Sequence, residues 1–514
     1  MLSTITSGTI YGMSSRLIQV EVDVSPGLPC FQLVGLPGSE VKESRERVKV
    51  ALKNAGIKMP PMCINVNLSP ANLPKNGTLL DLPVAVGILI AMEKLSQEGI
   101  KDTLLLGELG LSGELKPVKG VLPIVQKAAQ KGIKRCLLPA QNSWEGALIP
   151  EIEIIGLHDI KETIGYLQAR EKGEDAGICR TQVDVRKILQ DEKEQEKLDY
   201  GEISGQRSAK RAAEVAAAGF HHLLLIGPPG SGKTMIARRL PTILPPLSVE
   251  ESLEVSSVYS IAGLLPAELP LITHRPFWNP HHTITGRALV GSGRVPKPGM
   301  VSLAHRGVLF LDELPEFKRE TLDILRQPLE DRQVQIARSS GTYTYPADFM
   351  LVGAMNPCPC GFYPDRERCR CSEREVRQYL GRVSGPIMDR MDIGVEVQAT
   401  AFRELAAPGQ EESSESIRER VLLARERQKR RFAESNTKFN ASMSTTEIEK
   451  YCVLGESEQR YMEEMFQVMQ LSARGYHKIL RVARTIADLD DSDRIKEIHL
   501  AEAICYRQMD KKYW

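Results

Sequence analysis

Apolar residues follow two different periods in the first 168 residues of the chain. Short runs that are continuously apolar, or that alternate with polar residues, predict strands, whereas longer amphipathic runs predict helices. The predicted strands are Ile18–Val24, Cys63–Leu68, Thr103–Leu106, Cys136–Leu138 and Ile152–Ile155, and the clearest helices are Glu40–Ala55 and Leu122–Lys131. We therefore predict an α+β domain over residues 1–168.

The hydrophobic pattern changes farther along the chain. Residues 169–200 are rich in charge and poor in apolar periodicity, which is typical of a linker. Residues 201–400 alternate apolar strands, glycine turns and helices, which predicts a parallel sheet covered by helices. Residues 401–514 carry helical patterns, most clearly at Ser472–Leu489. The chain is thus predicted to be an α/β protein that ends in a helical domain.

Length and charge narrow the picture further. The 514 residues are too many for one compact core, and 67 Lys and Arg against 66 Asp and Glu mean that any nucleic-acid site is a local basic patch. The most apolar stretch, Leu79–Met92, is interrupted by Asp81 and Pro83, and the amino terminus lacks the pattern of a signal peptide. We expect a cytoplasmic protein with no membrane segment.

A phosphate-binding loop is the strongest chemical signal. The apolar strand Leu223–Ile226 precedes the sequence GPPGSGKT, and a helical pattern follows it. In such a loop the backbone N–H groups and the helix dipole hold phosphates, while the lysine reaches the outer phosphates and the threonine serves Mg²⁺. The predicted nucleotide contacts are Gly227, Pro228, Pro229, Gly230, Ser231, Gly232, Lys233 and Thr234.

Two later strands end in polar residues that complete a hydrolysis site. Asp312 and Glu313 follow an apolar run, so Asp312 is predicted to hold Mg²⁺ and Glu313 to polarise the attacking water. Asn356 ends a third apolar strand, from which its amide orients water or the γ-phosphate. The alternative interpretation of the paired acids is a helix cap.

The order of these motifs resembles the AAA+ ATPases of the helix-2-insert branch, which includes magnesium-chelatase I subunits and MCM helicases. By that resemblance Arg390, in the sequence MDRMD, is the arginine finger that completes a neighbouring subunit's site, and Arg474 is sensor 2. The resemblance therefore implies a ring, expected to be a hexamer. A surface ion pair of Arg390 with Asp389 or Asp392 is the alternative.

The whole chain resembles the ComM/YifB family of magnesium-chelatase-like ATPases. The sequences GPPGSGKT, PHHT, VLFLDELPEF, MNPCPCG and SARGYHKILRVART occur in the order that the family shows. The resemblance implies a Lon-like amino-terminal domain, an AAA+ core with helix-2-insert and pre-sensor hairpins, and a helical lid. It also implies an ATP- and Mg²⁺-dependent DNA motor, a translocase or branch-migration helicase in recombination or natural transformation. A protein-remodelling ATPase and an inactive chelatase-like scaffold remain as alternatives.

Two insertions are candidate DNA contacts. Glycine, proline and basic residues at 286–299 indicate an exposed hairpin, and residues 333–345 read as a second hairpin with a Ser-Ser-Gly turn. In the resembled branch both insertions face the pore, so the expected contacts are Arg294, Lys297, Arg338 and Tyr343. The alternative is that these hairpins only pack against neighbours. His281 and His282 are expected to face different directions in the extended loop before the first hairpin.

The ten cysteines fall into two groups. Cys358, Cys360, Cys369 and Cys371 form two close pairs that could enclose a tetrahedral Zn²⁺, with reduced thiols or a redox-sensitive cluster as the alternatives. The other six are isolated in the sequence and are expected to be small core residues; they are Cys30, Cys63, Cys136, Cys179, Cys452 and Cys505.

The amino-terminal domain resembles the Lon-protease type but lacks its nucleophile and base. The turn that follows Pro74 and Lys75 continues as Thr78-Leu-Leu-Asp81 where a serine is expected, and residues 121–124 are apolar where a lysine is expected. We predict no peptidase activity and a role in oligomerisation or DNA guidance. The first helix carries Lys42, Arg45, Arg47 and Lys49 among acidic residues, which favours a solvated face over a basic patch.

Overall fold

The computed structural model describes residues 2–190, 198–266, 268–339, 341–399 and 411–513. Its parallel sheet and flanking helices confirm the predicted α/β class. The predicted boundary between the core and the helical domain, at residues 400 and 401, lies outside the described residues, as does the 191–197 part of the predicted linker.

The amino-terminal domain is built on a seven-stranded mixed sheet. Its strands, together with a two-stranded ribbon formed by β6 and β7, are β1 (Leu2–Tyr11), β2 (Ser14–Pro26), β3 (Cys30–Val34), β4 (Met62–Ser69), β5 (Thr103–Leu105), β6 (Glu108–Leu109), β7 (Leu115–Lys116), β8 (Arg135–Pro139) and β9 (Glu153–Leu157). The sheet order is β3-β4-β2-β1-β5-β8-β9. The pairs β1–β2 and β2–β4 are antiparallel, and the remaining pairs are parallel.

Helices cover this sheet. They are α1 (Ser39–Asn54), α2 (Asp81–Ala91), α3 (Val121–Gln130), α4 (Ser143–Gly146), α5 (Ile160–Lys172) and α6 (Val185–Gln190). The helix α2 is buried along its whole length, because its residues are apolar on every side and it packs on β1 and β2. The strands and helices predicted for this domain are therefore confirmed, apart from small shifts at their ends.

The second sheet is entirely parallel and has the order β11-β14-β17-β10-β18. Its strands and the two hairpins inserted among them are β10 (Leu223–Ile226), β11 (Phe277–Trp278), β12 (Gly291–Ser292), β13 (Lys297–Pro298), β14 (Val308–Leu311), β15 (Gln333–Arg338), β16 (Gly341–Pro346), β17 (Met350–Met355) and β18 (Ile393–Glu396). The central strands β10, β14 and β17 are buried on both faces, which explains their continuous apolar sequences.

Helices surround the second sheet and form the carboxyl-terminal part. Those up to residue 388 are α7 (Arg207–Gly219), α8 (Lys233–Ile243), α9 (Val249–Ala262), α10 (Gly286–Val290), α11 (Met300–Leu303), α12 (Arg319–Asp323), α13 (Arg326–Asp331), α14 (Glu373–Leu380) and α15 (Gly385–Met388). Within residues 411–513 the secondary structure is helical throughout, as predicted: α16 (Ser414–Arg431), α17 (Thr445–Tyr451), α18 (Glu456–Met469), α19 (Ala473–Leu489), α20 (Glu497–Cys505) and α21 (Gln508–Tyr513). Ile417, Val421 and Ile486 share one apolar core with the sheet residues Leu223 and Val352.

The amino-terminal domain packs on the second sheet's layer through α3 and α9. The buried Glu145 carboxylate accepts hydrogen bonds from the Leu122 backbone N–H and the Ser260 hydroxyl, at 3.0 and 2.5 Å. The backbone N–H of Gly120 also donates to the Ser260 carbonyl. Buried polar groups that are satisfied across a contact fix its geometry, so this interface holds the two domains together.

The predicted linker is partly structured. The Thr181 N–H donates to the Ile154 carbonyl, and Val183, Val185 and Ile188 pack on the apolar core of the amino-terminal domain. The described part of this segment therefore packs along the surface of the amino-terminal domain.

The isolated cysteines do not all behave as predicted. Cys136 and Cys452 are buried, but Cys179 and Cys505 are exposed. Cys30 and Cys63 form a disulfide, because they are register partners on the adjacent strands β3 and β4. The prediction of core thiols is therefore wrong for these four residues. None of the helices in the described ranges combines the length and low charge that a bilayer span requires.

Candidate functional site

The phosphate-binding loop lies at the carboxyl edge of the parallel sheet. It leaves β10, which pairs with β17 on one side and β18 on the other, and it leads directly into α8 at Lys233. Ligands of open parallel sheets bind at this edge, and the amino terminus of α8 adds its positive dipole end.

Lys233 is held inside the loop. Its ammonium donates hydrogen bonds to the carbonyls of Gly227 and Pro228, at 2.7 and 2.9 Å, and to Asn356 Oδ1 at 3.2 Å. Burial lowers the pKa of Lys233 to about 8, and the Asp312 carboxylate opposes that shift. The ammonium is thus desolvated, and an incoming phosphate would stabilise its positive charge.

The loop has room and donors for an anion. Gly230 and Gly232 adopt left-handed backbone angles, with φ of 75° and 90°, and no atom lies within 4 Å of the position of a Cβ on either. The hydroxyl of Ser231 is buried and has no hydrogen-bond partner among the described residues. These features fit the phosphates of a nucleotide, because glycines let the backbone curl and the hydroxyl can donate.

Thr234 and Asp312 form the expected pair for Mg²⁺. The Thr234 hydroxyl donates to Asp312 Oδ2 at 2.8 Å, although the two residues come from α8 and from the end of β14. Oxygen ligands from a hydroxyl and a carboxylate suit Mg²⁺, which keeps several waters in its shell.

Glu313 stands beside this pair in a strained conformation. Its φ is 51°, in the left-handed region, and its backbone N–H donates to Asp312 Oδ1. Such backbone angles cost of the order of 1–3 kcal/mol and cluster at functional sites. The side chain is 63% exposed, so its carboxylate is open to water.

His282 contacts Glu313 and was missed by the sequence analysis. Its Nδ1 lies 3.4 Å from Glu313 Oε2, and its ring lies edge-on to Phe317. The expectation that His281 and His282 face different directions is wrong, because their ring centroids are only 4.1 Å apart. The PHHT sequence after a strand was the available signal, since residues after β11 reach the same sheet edge as those after β14.

Arg390 and Arg474 lie elsewhere. Both guanidinium groups contact the Glu330 carboxylate; Arg390 does so closely and also donates to the Pro386 carbonyl, while Arg474 is 3.9 Å away and 60% exposed. The alternative partners of Arg390 were Asp389 and Asp392, but the ion pair of Arg390 is with Glu330. The two arginines line a cleft of about 320 Å³ with Arg332.

This cleft is at the amino edge of the sheet. Asp392 precedes β18 and accepts a hydrogen bond from the backbone N–H of His222, which precedes β10, at 3.0 Å. The Lys478 ammonium lies 3.3 Å from Asp392, and His221 Nε2 contacts the Thr485 hydroxyl at 2.8 Å. Burial raises the pKa of Asp392, but Lys478 and the two histidines outweigh it and hold the pKa well below its usual range. The network fastens α19, which carries Arg474, to the segment of Arg390.

The four clustered cysteines form a compact site. Their sulfur atoms all lie within 4.8 Å of one another, and the Cys358 sulfur is 3.3 Å from that of Cys360 and 3.8 Å from that of Cys369. Tetrahedral Zn²⁺ with Zn–S bonds of about 2.3 Å places its sulfurs about 3.8 Å apart, so the four thiols, which include Cys371, fit that ion. Burial raises the pKa of the Cys360 thiol, but hydrogen bonds from the Phe362 backbone and Cys358 outweigh it and lower the pKa to about 6.

This four-cysteine loop, residues 358–371, touches the phosphate-binding loop. A Cβ added to Gly361 would lie 2.3 Å from Cδ of Pro229, so the two loops are in direct contact. The four-cysteine loop also follows Asn356 after a single proline.

The two inserted hairpins lie side by side. Arg294, Lys297 and Arg338 are exposed, and Arg338 Nε donates to the Gly293 carbonyl at 3.3 Å. Tyr343 differs from them, because its ring is 2% exposed and stacks on Tyr11 of the amino-terminal domain. This burial conflicts with the predicted DNA contact of Tyr343, which leaves Arg294, Lys297 and Arg338 as the candidate DNA contacts.

The two segments in which the sequence lacks the Lon-type serine and lysine contain buried side chains. The Asp81 carboxylate is fully buried and accepts hydrogen bonds from Arg47 Nε and Nη2, at 2.7 and 3.0 Å. Leu79 and Leu122 are buried as well. The Arg47 guanidinium is directed inward to the Asp81 carboxylate, so Arg47 does not belong to an exposed basic face on α1.

Comparison with known proteins agrees with these features. Family models described as "Magnesium chelatase, subunit ChlI", "Subunit ChlI of Mg-chelatase" and "Magnesium chelatase, subunit ChlI C-terminal" match residues 199–405, 20–142 and 411–507. Lon protease 2 of Bacillus subtilis is 32% identical in a 216-residue alignment that covers 35% of this chain and 36% of that protease.

Two relatives match along nearly the full length. Competence protein ComM of Haemophilus influenzae is 42% identical over 511 residues, which are 99% of this chain and 98% of the relative. The protein YifB of Salmonella typhimurium is 40% identical over 514 residues, with the same coverage. This chain therefore belongs to the ComM/YifB family of magnesium-chelatase-like proteins.

Proposed function

We propose that this chain is an ATP-hydrolysing motor that assembles into a ring, a hexamer, and moves on DNA as a translocase or branch-migration helicase. The main observation in support is that the predicted catalytic residues are divided between the two edges of the same sheet. Lys233, Asp312 and Asn356 gather at the carboxyl edge, whereas Arg390 and Arg474 gather at the amino edge.

The carboxyl edge binds and cleaves the nucleotide. The loop from Gly227 to Thr234 holds the phosphates of ATP, and Lys233 neutralises the outer ones. Thr234 and Asp312 would hold Mg²⁺, directly or through water, and the ion would supply positive charge against the phosphates. Glu313 then orients and polarises the attacking water, and Asn356 fixes the position of the γ-phosphate.

The amino edge serves the neighbouring subunit. A parallel strand four residues long separates the two edges by roughly 13 Å, so Arg390 cannot reach the phosphates of its own subunit. A ring places the amino edge of one subunit against the carboxyl edge of the next, which lets Arg390 and Arg474 neutralise transition-state charge there. In this proposal Glu330 holds both guanidinium groups until the neighbour's phosphates replace it.

DNA is the substrate that the inserted hairpins favour. Arg294, Lys297 and Arg338 are exposed, lie on adjacent hairpins and can contact backbone phosphates. The family relative named as a competence protein supports a role in recombination or natural transformation. Protein remodelling, with the Lon-like domain capturing substrate, is the rival function that the DNA experiment below separates.

A second metal completes the proposal. The four-cysteine loop holds Zn²⁺ as a structural ion, because four thiolate ligands leave no open position for catalysis. Its contact with Pro229 means that the ion braces the wall of the phosphate-binding loop.

The pH dependence of nucleotide affinity tests the position of Lys233. Only the ammonium form attracts phosphate, and its pKa in the free protein is about 8. The Kd of MgATP should therefore rise about tenfold between pH 7 and pH 9. In the Lys233→Arg variant the charge persists at both pH values, so its Kd should stay constant. A flat profile in the unsubstituted protein would contradict the assigned role.

Mixing of inactive subunits tests the shared site. Arg390→Ala should lower turnover by about a thousandfold or more while ATP still binds. Mixing equal amounts of Arg390→Ala and Glu313→Gln subunits should restore roughly a quarter of normal turnover, since one interface in four joins two intact halves.

The matched control for that experiment combines two defects of the same edge. Glu313→Gln mixed with Lys233→Ala leaves no intact carboxyl edge, so it should restore nothing. If the Arg390→Ala mixture behaves like this control, Arg390 acts within its own subunit and the ring argument fails.

DNA action is tested by ATPase rates with single-stranded, duplex and forked DNA, using Glu313→Gln as the inactive control. We expect at least one DNA form to stimulate turnover. Replacing Arg294, Lys297 and Arg338 by alanine should weaken DNA binding and reduce its salt slope by about 0.7 per lost contact on single strands. Replacing the exposed Lys58, Lys94 and Lys101 by alanine removes the same number of charges elsewhere and is the matched control. Absence of binding and stimulation by every DNA form would favour protein remodelling.

Metal analysis of protein purified without chelator tests the zinc site. About one zinc per chain is expected, and Cys360→Ser should lower that content and loosen the phosphate-binding loop. Cys179→Ser, which alters an exposed cysteine outside the cluster, should leave the zinc content unchanged. Less than about one-tenth of an equivalent in the unsubstituted protein would rule the site out.

A further inference from the structure

The turn between β1 and β2 of the amino-terminal domain rests on the pre-sensor hairpin, which we define as β15 and β16. The ring of Tyr11 stacks on Tyr343, with centroids 4.5 Å apart and planes inclined by 29°. The backbone N–H of Met13 donates to the Thr344 carbonyl at 3.2 Å. The turn therefore contacts the hairpin through a side chain and through the backbone.

Two glycines allow this close approach. Gly12 has a φ of 62°, and a Cβ there would lie 3.0 Å from the Thr344 carbonyl oxygen. Gly341 has a φ of 129°, and a Cβ there would lie 1.8 Å from the Tyr11 hydroxyl oxygen. Larger residues would strain the backbone and separate the two surfaces at both positions.

The contact continues from the pre-sensor hairpin to the insert hairpin, β12 and β13. The Tyr345 hydroxyl is buried and donates to the Pro296 carbonyl at 2.6 Å. Arg338 donates to Gly293, beside Arg294. The turn, the pre-sensor hairpin and the insert hairpin thus form one continuous set of contacts.

We propose that the turn Tyr11–Gly12–Met13 is a positioning element for the pre-sensor hairpin, and that the amino-terminal domain thereby sets the response of the ATPase to DNA. The proposal rests on the proposed function, because it assigns DNA contacts to the two hairpins. Tyr11 acts through Tyr343 and does not itself contact DNA.

The turn can be tested separately from domain docking. The amino-terminal domain is also attached through α3, α9 and the buried hydrogen bond between Ser260 and Glu145. Loss of the Tyr11 ring therefore leaves the domain attached and removes its stacking contact with Tyr343 of the hairpin. If the turn only held the domain in place, Tyr11→Ala would cause no local change in hydrogen exchange at residues 333–346.

The experiment compares Tyr11→Ala with Tyr11→Phe, which keeps the stacked ring, and with Trp144→Ala, which removes an exposed ring from the same domain. Hydrogen exchange of residues 333–346 and ATPase rates with and without forked DNA are measured on the full chain. A stacked aromatic pair changes the equilibrium constant for forming a contact by a factor of about three to ten. Hydrogen exchange in the hairpin should therefore quicken by about that factor in Tyr11→Ala. Stimulation by DNA should fall by a similar factor, with the basal rate unchanged.

The controls decide between local and general effects. Trp144→Ala should retain normal exchange and stimulation, and Tyr11→Phe should keep the protection that the stacked ring gives. Gly12→Ala should reproduce the effect of Tyr11→Ala through strain at the same contact. Unchanged exchange in the hairpin overturns the proposal, as does exchange that quickens equally throughout the amino-terminal domain. If DNA fails to stimulate the unsubstituted protein, the proposed function fails, whereas the exchange of the hairpin still decides whether the turn positions it.

Discussion

The direction of the strands in the second sheet is the constraint on which the rest depends. Because β10, β14, β17 and β18 are parallel, every segment that follows a strand meets at one edge and every segment that precedes a strand meets at the other. The phosphate-binding loop, the acidic pair and Asn356 share the first edge. The arginines share the second. One folded subunit therefore carries the predicted catalytic residues in two groups at opposite edges of the sheet, which is the basis of the proposed shared site.

The elements of this sheet were predictable because their determinants are local. Leu223–Ile226 and the glycines after it specify a buried strand and a phosphate loop within one short segment. Contacts between distant segments were not predictable in this way. The pairing of His282 with Glu313, and of Cys30 with Cys63, depends on which strands become neighbours. Single-sequence periodicity carries no information about that choice.

The amino-terminal domain shows which of its features follow from residue types and which depend on packing. The Lon-type turn ends here in Asp81, which is buried against Arg47, and breaking such a pair would leave an uncompensated charge. The sequence predicted the loss of the nucleophile, since residue types alone decide it. It could not predict the burial of Tyr343 against Tyr11, because both alternating strands looked amphipathic and the partner of each face was unknown.

The strand β17 connects the pre-sensor hairpin to the phosphate-binding loop. Its amino end follows the pre-sensor hairpin after three residues, and its carboxyl end leads to Asn356, which touches Lys233. Hydrogen bonds to β10 and β14 on both sides hold this strand in the sheet. The buried pair of Asp392 and Lys478 ties the arginine edge to the same sheet. In the proposed motor, β17 is therefore a direct connection between the DNA-contacting hairpins and the nucleotide site.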